Sequence, residues 1–129
     1  MSAKEEVQRI TEEVISAAAK GDFVPFVNLL DDEVQVFDHV PYLFEDKQSF
    51  VEYLQGASTG AESLSFVFHQ PTYRAINETT AIVNSYDRFT MVPKGGMPKV
   101  QCGRTTFVYA KKGAQWRIVN AHFSPLPKE

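Results

Sequence analysis

Asp38, Asp87 and Tyr86 are the side chains of this sequence that could take part in acid–base chemistry. Asp38 stands with His39 where an extended run enters an apolar loop, and Asp87 follows Tyr86 inside a longer extended run. A carboxylate in an apolar cavity has a raised pKa, and a phenol can stabilise an oxyanion. Together these groups could transfer a proton next to a carbonyl. The alternative for Asp38 is structural, with its side chain ending a strand and His39 lying in solvent.

Arg88 comes next in the same run. Alternation places Tyr86 and Arg88 on one face with Ile82, and we expect this face to point into the protein. A buried arginine is costly unless it is paired or serves a ligand. Two interpretations therefore stay open for Arg88, an ion pair with Asp38 or another acid and a contact with an acidic group of a ligand.

Two runs of alternating character, Val100–Lys111 and Gln115–Phe123, predict a hairpin around Lys112-Gly113-Ala114. The alternation divides the hairpin into two faces. The face expected to point inward carries Val119, Ala121 and Phe123 on one strand and Phe107 and Tyr109 on the other. The face expected to point outward carries Arg104, Thr106, Trp116, Asn120 and His122.

The elements that position these residues follow in a simple order, with helices mostly first and antiparallel strands after. Ser2 with Glu5 forms a capping-box pattern at the start of the first helix. The predicted helices are Ser2–Lys20, Phe23–Leu30 and Lys47–Gln55. The predicted strands before the hairpin are Val34–Asp38, Ser63–Arg74 and Thr79–Val92. This order predicts an α+β fold with helices packed on one face of a curved sheet.

The size and charge of the chain narrow its class. At 129 residues, 43% of them hydrophobic, it is expected to form a single domain over residues 1–129. The formal net charge of −3 argues against a nucleic acid or an anionic membrane as partner. The charged N-terminus does not resemble a signal peptide and no run is apolar enough to span a bilayer, so we expect a soluble, cytoplasmic protein.

The sequence contains no pattern that predicts a metal or a cofactor. Cys102 is the only cysteine, and the three histidines are scattered without ligand spacing. Phosphate-binding loops, dinucleotide glycine motifs and nucleophile elbows are also missing from the sequence. We therefore expect neither metal nor cofactor.

Several landmarks along the chain resemble the NTF2-like superfamily and, within it, the SnoaL-like proteins. The greatest similarity is to the association domain of calcium/calmodulin-dependent protein kinase II. The specific segments are Gly96-Met97-Pro98-Lys99 and the ending with Trp116, Val119, His122 and Ser124. The more general ones are Gly21-Asp22-Phe23 and Phe37-Asp38. No kinase sequence is present, so the resemblance concerns assembly and pocket.

The resemblance implies a cone of sheet around a helix, with a pocket inside and self-association through the sheet into a dimer or a larger ring. In the kinase domain, arginines from three strands line that pocket. Only Arg88 keeps this residue type here, because the other positions carry Phe107 and Phe123. The implied pocket residues are Arg88, Tyr86, Phe107, Tyr109, Phe123 and, from the apolar loop, Tyr42. The implied interface residues are Arg104, Thr106, Trp116, Asn120 and His122, with His122 an interface residue in preference to a catalytic one.

Three functions are consistent with these residues. The first is a homo-oligomeric domain whose cone binds a small organic ligand, with a carboxylate of that ligand meeting Arg88. The second is an isomerase, cyclase or hydratase that uses Asp38 or Asp87 as base and Tyr86 as donor. The third is an assembly module whose core is filled by Phe107, Tyr109 and Phe123.

Overall fold

The computed structural model describes residues 1–39 and 43–127, which form three helices and a six-stranded sheet. The helices are α1 (Ala3–Ala19), α2 (Val24–Leu29) and α3 (Lys47–Ser58). The strands are β1 (Leu30–Phe37), β2 (Leu43–Phe44), β3 (Ala61–Asn77), β4 (Thr80–Pro93), β5 (Lys99–Lys112) and β6 (Gln115–Pro125). The predicted α+β class, with helices on a curved and mainly antiparallel sheet, is confirmed.

The strand order across the sheet is β2-β1-β6-β5-β4-β3. The strands β3 to β6 form a continuous antiparallel meander, and β1 joins β6 in parallel. A parallel pair needs a long crossover, which the intervening chain supplies. The β5–β6 hairpin lies near the centre of the sheet, as predicted, and turns through Gly113 at a φ of +63°.

Helix α1 packs on the sheet through one buried stripe and one buried hydrogen bond. The capping box predicted from Ser2 and Glu5 is present and satisfies the first backbone N–H groups. The buried stripe along the helix contains Val7, Thr11, Val14 and Ala18. In the middle, the hydroxyls of Thr11 and Tyr109 lie 2.7 Å apart in a buried hydrogen bond, which ties α1 to β5.

A β-bulge in β6 changes the face to which its first half points. Val108 pairs with Asn120, but Tyr109 pairs with Ile118, so Val119 is the extra residue. Trp116 and Ile118 are therefore buried on the inner face together with Ala121, which follows the bulge. The prediction that Trp116 points outward is wrong for this reason, because uninterrupted alternation cannot include the added residue.

Strand β4 points its odd-numbered residues inward, opposite to the prediction. Ala81, Val83, Ser85 and Asp87 are buried, whereas Tyr86 is 48% exposed. Register with β5 sets this orientation, since Val83 pairs with the buried Phe107. Both faces of β4 carry apolar residues, so hydrophobic alternation gave no clear choice between them.

The remaining differences concern the ends of elements. Strand β1 begins at Leu30, a residue predicted to be helical, because Leu30 pairs with Ile118 of β6. Helix α3 runs three residues beyond its predicted end at Gln55 and stops at Ser58. The short strand β2 was not predicted, since two residues are too few to show a period.

Candidate functional site

The inner face of the sheet buries one carboxylate, that of Asp87. This residue is 7% exposed, and its Oδ2 accepts a hydrogen bond of 2.5 Å from Thr105 Oγ1 on β5. Burial raises the pKa of Asp87, and the negative charge of Asp38 also raises it, whereas the Thr105 hydrogen bond and the charge of His39 act in the opposite direction. A buried carboxyl group with a raised pKa is a candidate for holding or transferring a proton.

Gly103 provides the space in which the Asp87 carboxylate lies. The two residues are direct partners between β4 and β5. A Cβ at position 103 would lie 3.1 Å from Asp87 Oδ1 and 2.5 Å from the carbonyl oxygen of Ser124 on β6. A side chain at this point would push the carboxylate or β6 away, so Gly103 and Thr105 together fix the orientation of Asp87.

Asp38 and His39 form a second polar group, at the end of β1. His39 Nδ1 lies 2.7 Å from Asp38 Oδ1, and the same oxygen accepts the His39 backbone N–H. The Asp38 side chain is only 11% exposed and His39 is 38% exposed, so the pair lies at the border between interior and solvent. Burial raises the pKa of Tyr53 on α3, and the charge of Asp38 raises it further.

Four phenylalanine rings form a closed circuit on the inner face beside Asp87. Adjacent ring centroids are 5.7 Å apart for Phe66–Phe68, 5.8 Å for Phe68–Phe107, and 6.1 Å for both Phe107–Phe123 and Phe66–Phe123. Phe68 pairs directly with Asp87, and Phe123 pairs with Thr105. The buried carboxylate therefore has an aromatic neighbourhood that excludes water and supports its raised pKa.

Arg88 and Tyr86 do not share this interior. Both are exposed on the sheet face opposite Asp87, with Arg88 paired to the exposed Cys102 and Tyr86 to the exposed Arg104. The predicted inward orientation of Arg88 and Tyr86 is therefore wrong, because the register of β4 with β5 buries the odd-numbered residues of β4 and leaves the even-numbered ones on the outer face. Asp87, the residue between them, is the one that points inward.

The other predicted pocket residues differ in how far they are enclosed. Phe107 and Tyr109 point inward as predicted and are fully buried, and the Tyr109 hydroxyl is occupied by Thr11. Burial raises the pKa of Tyr109 well above the usual phenol range. Phe123 points to the inner face as well but is only partly buried. Tyr42 lies outside the described residues.

The outer face of the sheet, the one opposite the core, carries most of the predicted interface residues. Arg104 and His122 are exposed there, and Thr106 and Asn120 are half-buried beside them. Trp116 is not among them, because its ring is 4% exposed and its Nε1 donates to Glu6 Oε2 at 3.3 Å. Phe37, which the sequence analysis did not assign to this face, is 58% exposed and packs against His122 at 5.4 Å between ring centroids.

A groove of about 400 Å³ lies away from this interior, beside the start of β1. Its lining residues are Asn28, Leu30, Asp31, Asp32, Lys47 and Arg117. Asp31 accepts a hydrogen bond of 2.9 Å from Lys112, and Arg117 donates to the Asn28 carbonyl at 2.6 Å. Asp31 and Arg117 therefore already have protein partners, and this part of the groove offers less unmet chemistry than Asp87 does.

Among residues 1–39 and 43–127, no group of three or more His, Cys, Asp or Glu side chains is arranged to hold a metal ion. No helix in the same ranges is long and apolar enough to cross a membrane.

Sequence reasoning named Asp87 but missed the residues that orient it. The positions of Thr105 and Gly103 beside Asp87 follow only from the β4–β5 register. A strand glycine opposite an acidic residue is the one signal that could have indicated a close approach here.

A family model described as a SnoaL-like domain matches residues 7–128 of the chain. Among curated proteins, the chain is 27% identical over 128 residues to the delta subunit of calcium/calmodulin-dependent protein kinase type II from Oryctolagus cuniculus. That match covers 96% of this chain but 24% of the kinase, so the chain spans about a quarter of the relative's length.

Two solved structures resemble the chain over nearly its whole length. One is described as a putative calcium/calmodulin-dependent protein kinase II association domain from Xanthomonas campestris, with a TM-score of 0.80, 22% identity, and coverage of 96% of this chain and 88% of that one. The other is described as a putative scytalone dehydratase from Novosphingobium aromaticivorans, with a TM-score of 0.81, 13% identity, and coverage of 95% and 83%. Further similar structures are described as NTF2-like, which confirms the predicted fold.

Proposed function

Because the chain belongs to the SnoaL-like domain family, we propose that it is a self-associating domain whose cone binds a small organic molecule through Asp87. The observation that carries the proposal is a nine-tenths buried carboxylate beside a circuit of phenylalanine rings. Binding pockets combine mostly apolar walls with a few polar groups that fix orientation. Asp87 takes the anchoring role that the sequence analysis gave to Arg88.

The outer face of the sheet supports the self-association half of this proposal. It presents Phe37, which is 58% exposed, and Tyr86, which is 48% exposed, on the same surface as Arg104 and His122. Exposed aromatic groups with arginine are typical of protein–protein interfaces. The structurally similar protein from Xanthomonas campestris is described as an association domain.

Light scattering on the purified protein tests the assembly. We expect a mass of at least a dimer at micromolar concentration. A strict monomer under these conditions would contradict self-association and leave the cone proposal standing.

A fragment screen by protein-observed NMR tests the cone. We expect small aromatic compounds to shift the backbone amide signals of Gly103 and Thr105, which flank Asp87. If no compound shifts these signals, the third function becomes the better account, an assembly module with a filled core.

A second candidate is a proton-transfer enzyme, an isomerase, cyclase or hydratase. The raised pKa of Asp87 favours it, as does the presence of Asp38 and His39 at the edge of the same interior. The structurally similar protein from Novosphingobium aromaticivorans is described as a putative scytalone dehydratase. Tyr86 is left out of this mechanism because it faces away from Asp87.

Hydrogen–deuterium exchange at the α-carbon of a cyclic enone in D₂O, followed by proton NMR, tests this second candidate. An enzyme should accelerate the exchange, and Asp87→Asn should reduce the acceleration by about 100-fold or more, as expected for loss of a general base. Equal exchange rates for the variant and the wild type would exclude Asp87 as the base.

A further inference from the structure

The buried carboxylate of Asp87 has no cationic partner among the described residues. The three ion pairs in that part of the chain join His39 to Asp38, Lys111 to Glu6, and Lys112 to Asp31. Within residues 1–39 and 43–127, the Asp87 side chain receives a hydrogen bond from Thr105 alone, and Arg88 is on the opposite face of the sheet. An ionised carboxylate that leaves water loses solvation, and a nearby positive charge is what offsets that loss.

The polar groups closest to Asp87 make the interior negative. From the end of β1, the charges of Asp38 and His39 both act on Asp87. These two groups form a close pair, so a protonated His39 is balanced by Asp38. From β5, Thr105 contributes a neutral hydroxyl. An ionised Asp87 is therefore the uncompensated charge of this group.

The aromatic rings around Asp87 also favour a positively charged ligand. The faces of aromatic rings carry negative electrostatic potential, and a cation held within about 6 Å of a ring centroid is attracted to it. Phe68 lies directly across the strand pair from Asp87, and Phe123 lies across from Thr105. Phe66, Phe68 and Phe123 are each only partly buried, whereas Phe107 is fully buried, so the first three rings form the less enclosed side of the circuit.

We propose that the cone selects an organic cation, an ammonium group carried on a small aromatic or hydrocarbon body. The ammonium would donate hydrogen bonds to Asp87, and the body would pack on Phe66, Phe68 and Phe123. This inference rests on the proposed binding function and adds the chemical class of the ligand. A cationic ligand has the opposite charge to the carboxylate-bearing ligand that an inward-pointing Arg88 would bind.

Titration of the ¹⁵N-labelled protein with benzylammonium, benzyl alcohol and benzoate at neutral pH tests the proposal, because these probes share a ring and differ in charge. We expect benzylammonium to shift the Gly103 and Thr105 amide signals with an affinity about tenfold or more above that of benzyl alcohol, since hydrogen bonds to charged groups are the stronger ones. Benzoate should bind most weakly. Asp87→Asn should abolish the preference, whereas Asp31→Asn, which removes a carboxylate paired with Lys112, should leave it unchanged.

The outcomes separate this inference from the function on which it rests. If benzyl alcohol or benzoate binds as tightly as benzylammonium, or if Asp87→Asn keeps the preference, the cation assignment is overturned and the pocket stands. If none of the three probes shifts the two amide signals up to its solubility limit, the pocket itself is contradicted, and the cation assignment with it.

Discussion

The carboxyl group of Asp87 is buried, and burial destabilises its ionised form. Burial is the largest cause of its raised pKa, and only the Thr105 hydrogen bond and the charge of His39 oppose it. The folded protein therefore binds this proton more tightly than the unfolded chain does. By linkage, the stability of the fold declines as the pH rises from the unfolded pKa, about 3.9, through the folded one.

Asp87→Asn removes this titration while keeping an oxygen that can accept from Thr105. We expect the variant to have a higher free energy of unfolding than the wild type near neutral pH, and the difference to disappear below the unfolded pKa. Urea unfolding across this pH range measures both quantities.

Asp31→Asn is the matched control, because we expect it to change the free energy of unfolding in the opposite direction. The hydrogen bond from Lys112 lowers the pKa of Asp31, so its stabilisation is present near neutral pH and is lost as the pH falls through the folded pKa. We expect this variant to be less stable than the wild type at neutral pH. A stability gain in both variants would contradict the assignment of Asp87 as a costly buried charge.

The buried hydrogen bond between Thr11 and Tyr109 should contribute to the stability of the fold. Tyr109→Phe leaves the buried Thr11 hydroxyl without its 2.7 Å partner, and we expect a loss of about 1–3 kcal/mol in the free energy of unfolding. The double variant Thr11→Val with Tyr109→Phe removes both polar groups and should recover part of that loss. Urea unfolding distinguishes the two, and equal stability of wild type and Tyr109→Phe would contradict the prediction.

At the level of strands, the close approach of β4, β5 and β6 depends on Gly103. Gly103→Ala would place a Cβ 2.5 Å from the Ser124 carbonyl oxygen and 3.1 Å from Asp87 Oδ1, so the β5 and β6 backbones must move apart and the carboxylate must shift slightly. We expect a loss of about 1–3 kcal/mol, typical of overpacking, measured by urea unfolding. Gly60→Ala is the control, because its Cβ would meet nothing within 4 Å, and it should change stability by no more than about 0.5 kcal/mol.

The sequence predicts most helices and strands because each produces its own local pattern of apolar, capping or turn residues. The capping box at Ser2 and the period of apolar residues fixed α1, and alternation with a glycine turn fixed the β5–β6 hairpin. The Leu30 start of β1 could not be predicted in this way, since it depends on parallel pairing with a strand almost ninety positions later, at Ile118.

The site was only partly predictable, and register is the reason. Asp87 is a catalytic candidate from the sequence alone, but both faces of β4 carry apolar residues, so alternation does not show that Arg88 and Tyr86 point outward. A single bulge at Val119 likewise moved Trp116 from the expected outer face into the core. A shift of one residue reverses every side chain of a strand, and no local pattern reports such a shift.

At the level of the whole molecule, the two faces of the sheet have separate chemistry. The inner face encloses Asp87 and its aromatic neighbours, while the outer face presents Phe37, Tyr86, Arg104 and His122 to solvent. Self-association through the outer face would leave the interior free for a ligand. The two proposed activities can therefore be tested independently.

Phe37→Glu tests which surface self-associates. We expect it to weaken assembly by about 30-fold, as for loss of a buried aromatic anchor worth about 2 kcal/mol. Ile76→Glu is the control, because Ile76 is similarly exposed, at 55%, but lies close to the β3–β4 turn. Sedimentation velocity over a concentration series measures both, and equal effects of the two variants would contradict the choice of surface.

We assign Asp87 as the buried, proton-holding group of the interior, and the pH titration of its own carboxyl group measures this property. The Asp87 carboxyl carbon can be followed by ¹³C NMR across the pH range, with Asp87→Asn assigning the signal. We predict a midpoint clearly above the ordinary aspartate value of about 3.9, with the Gly103 and Thr105 amide signals shifting at the same pH. A midpoint at or below the ordinary value would contradict the account.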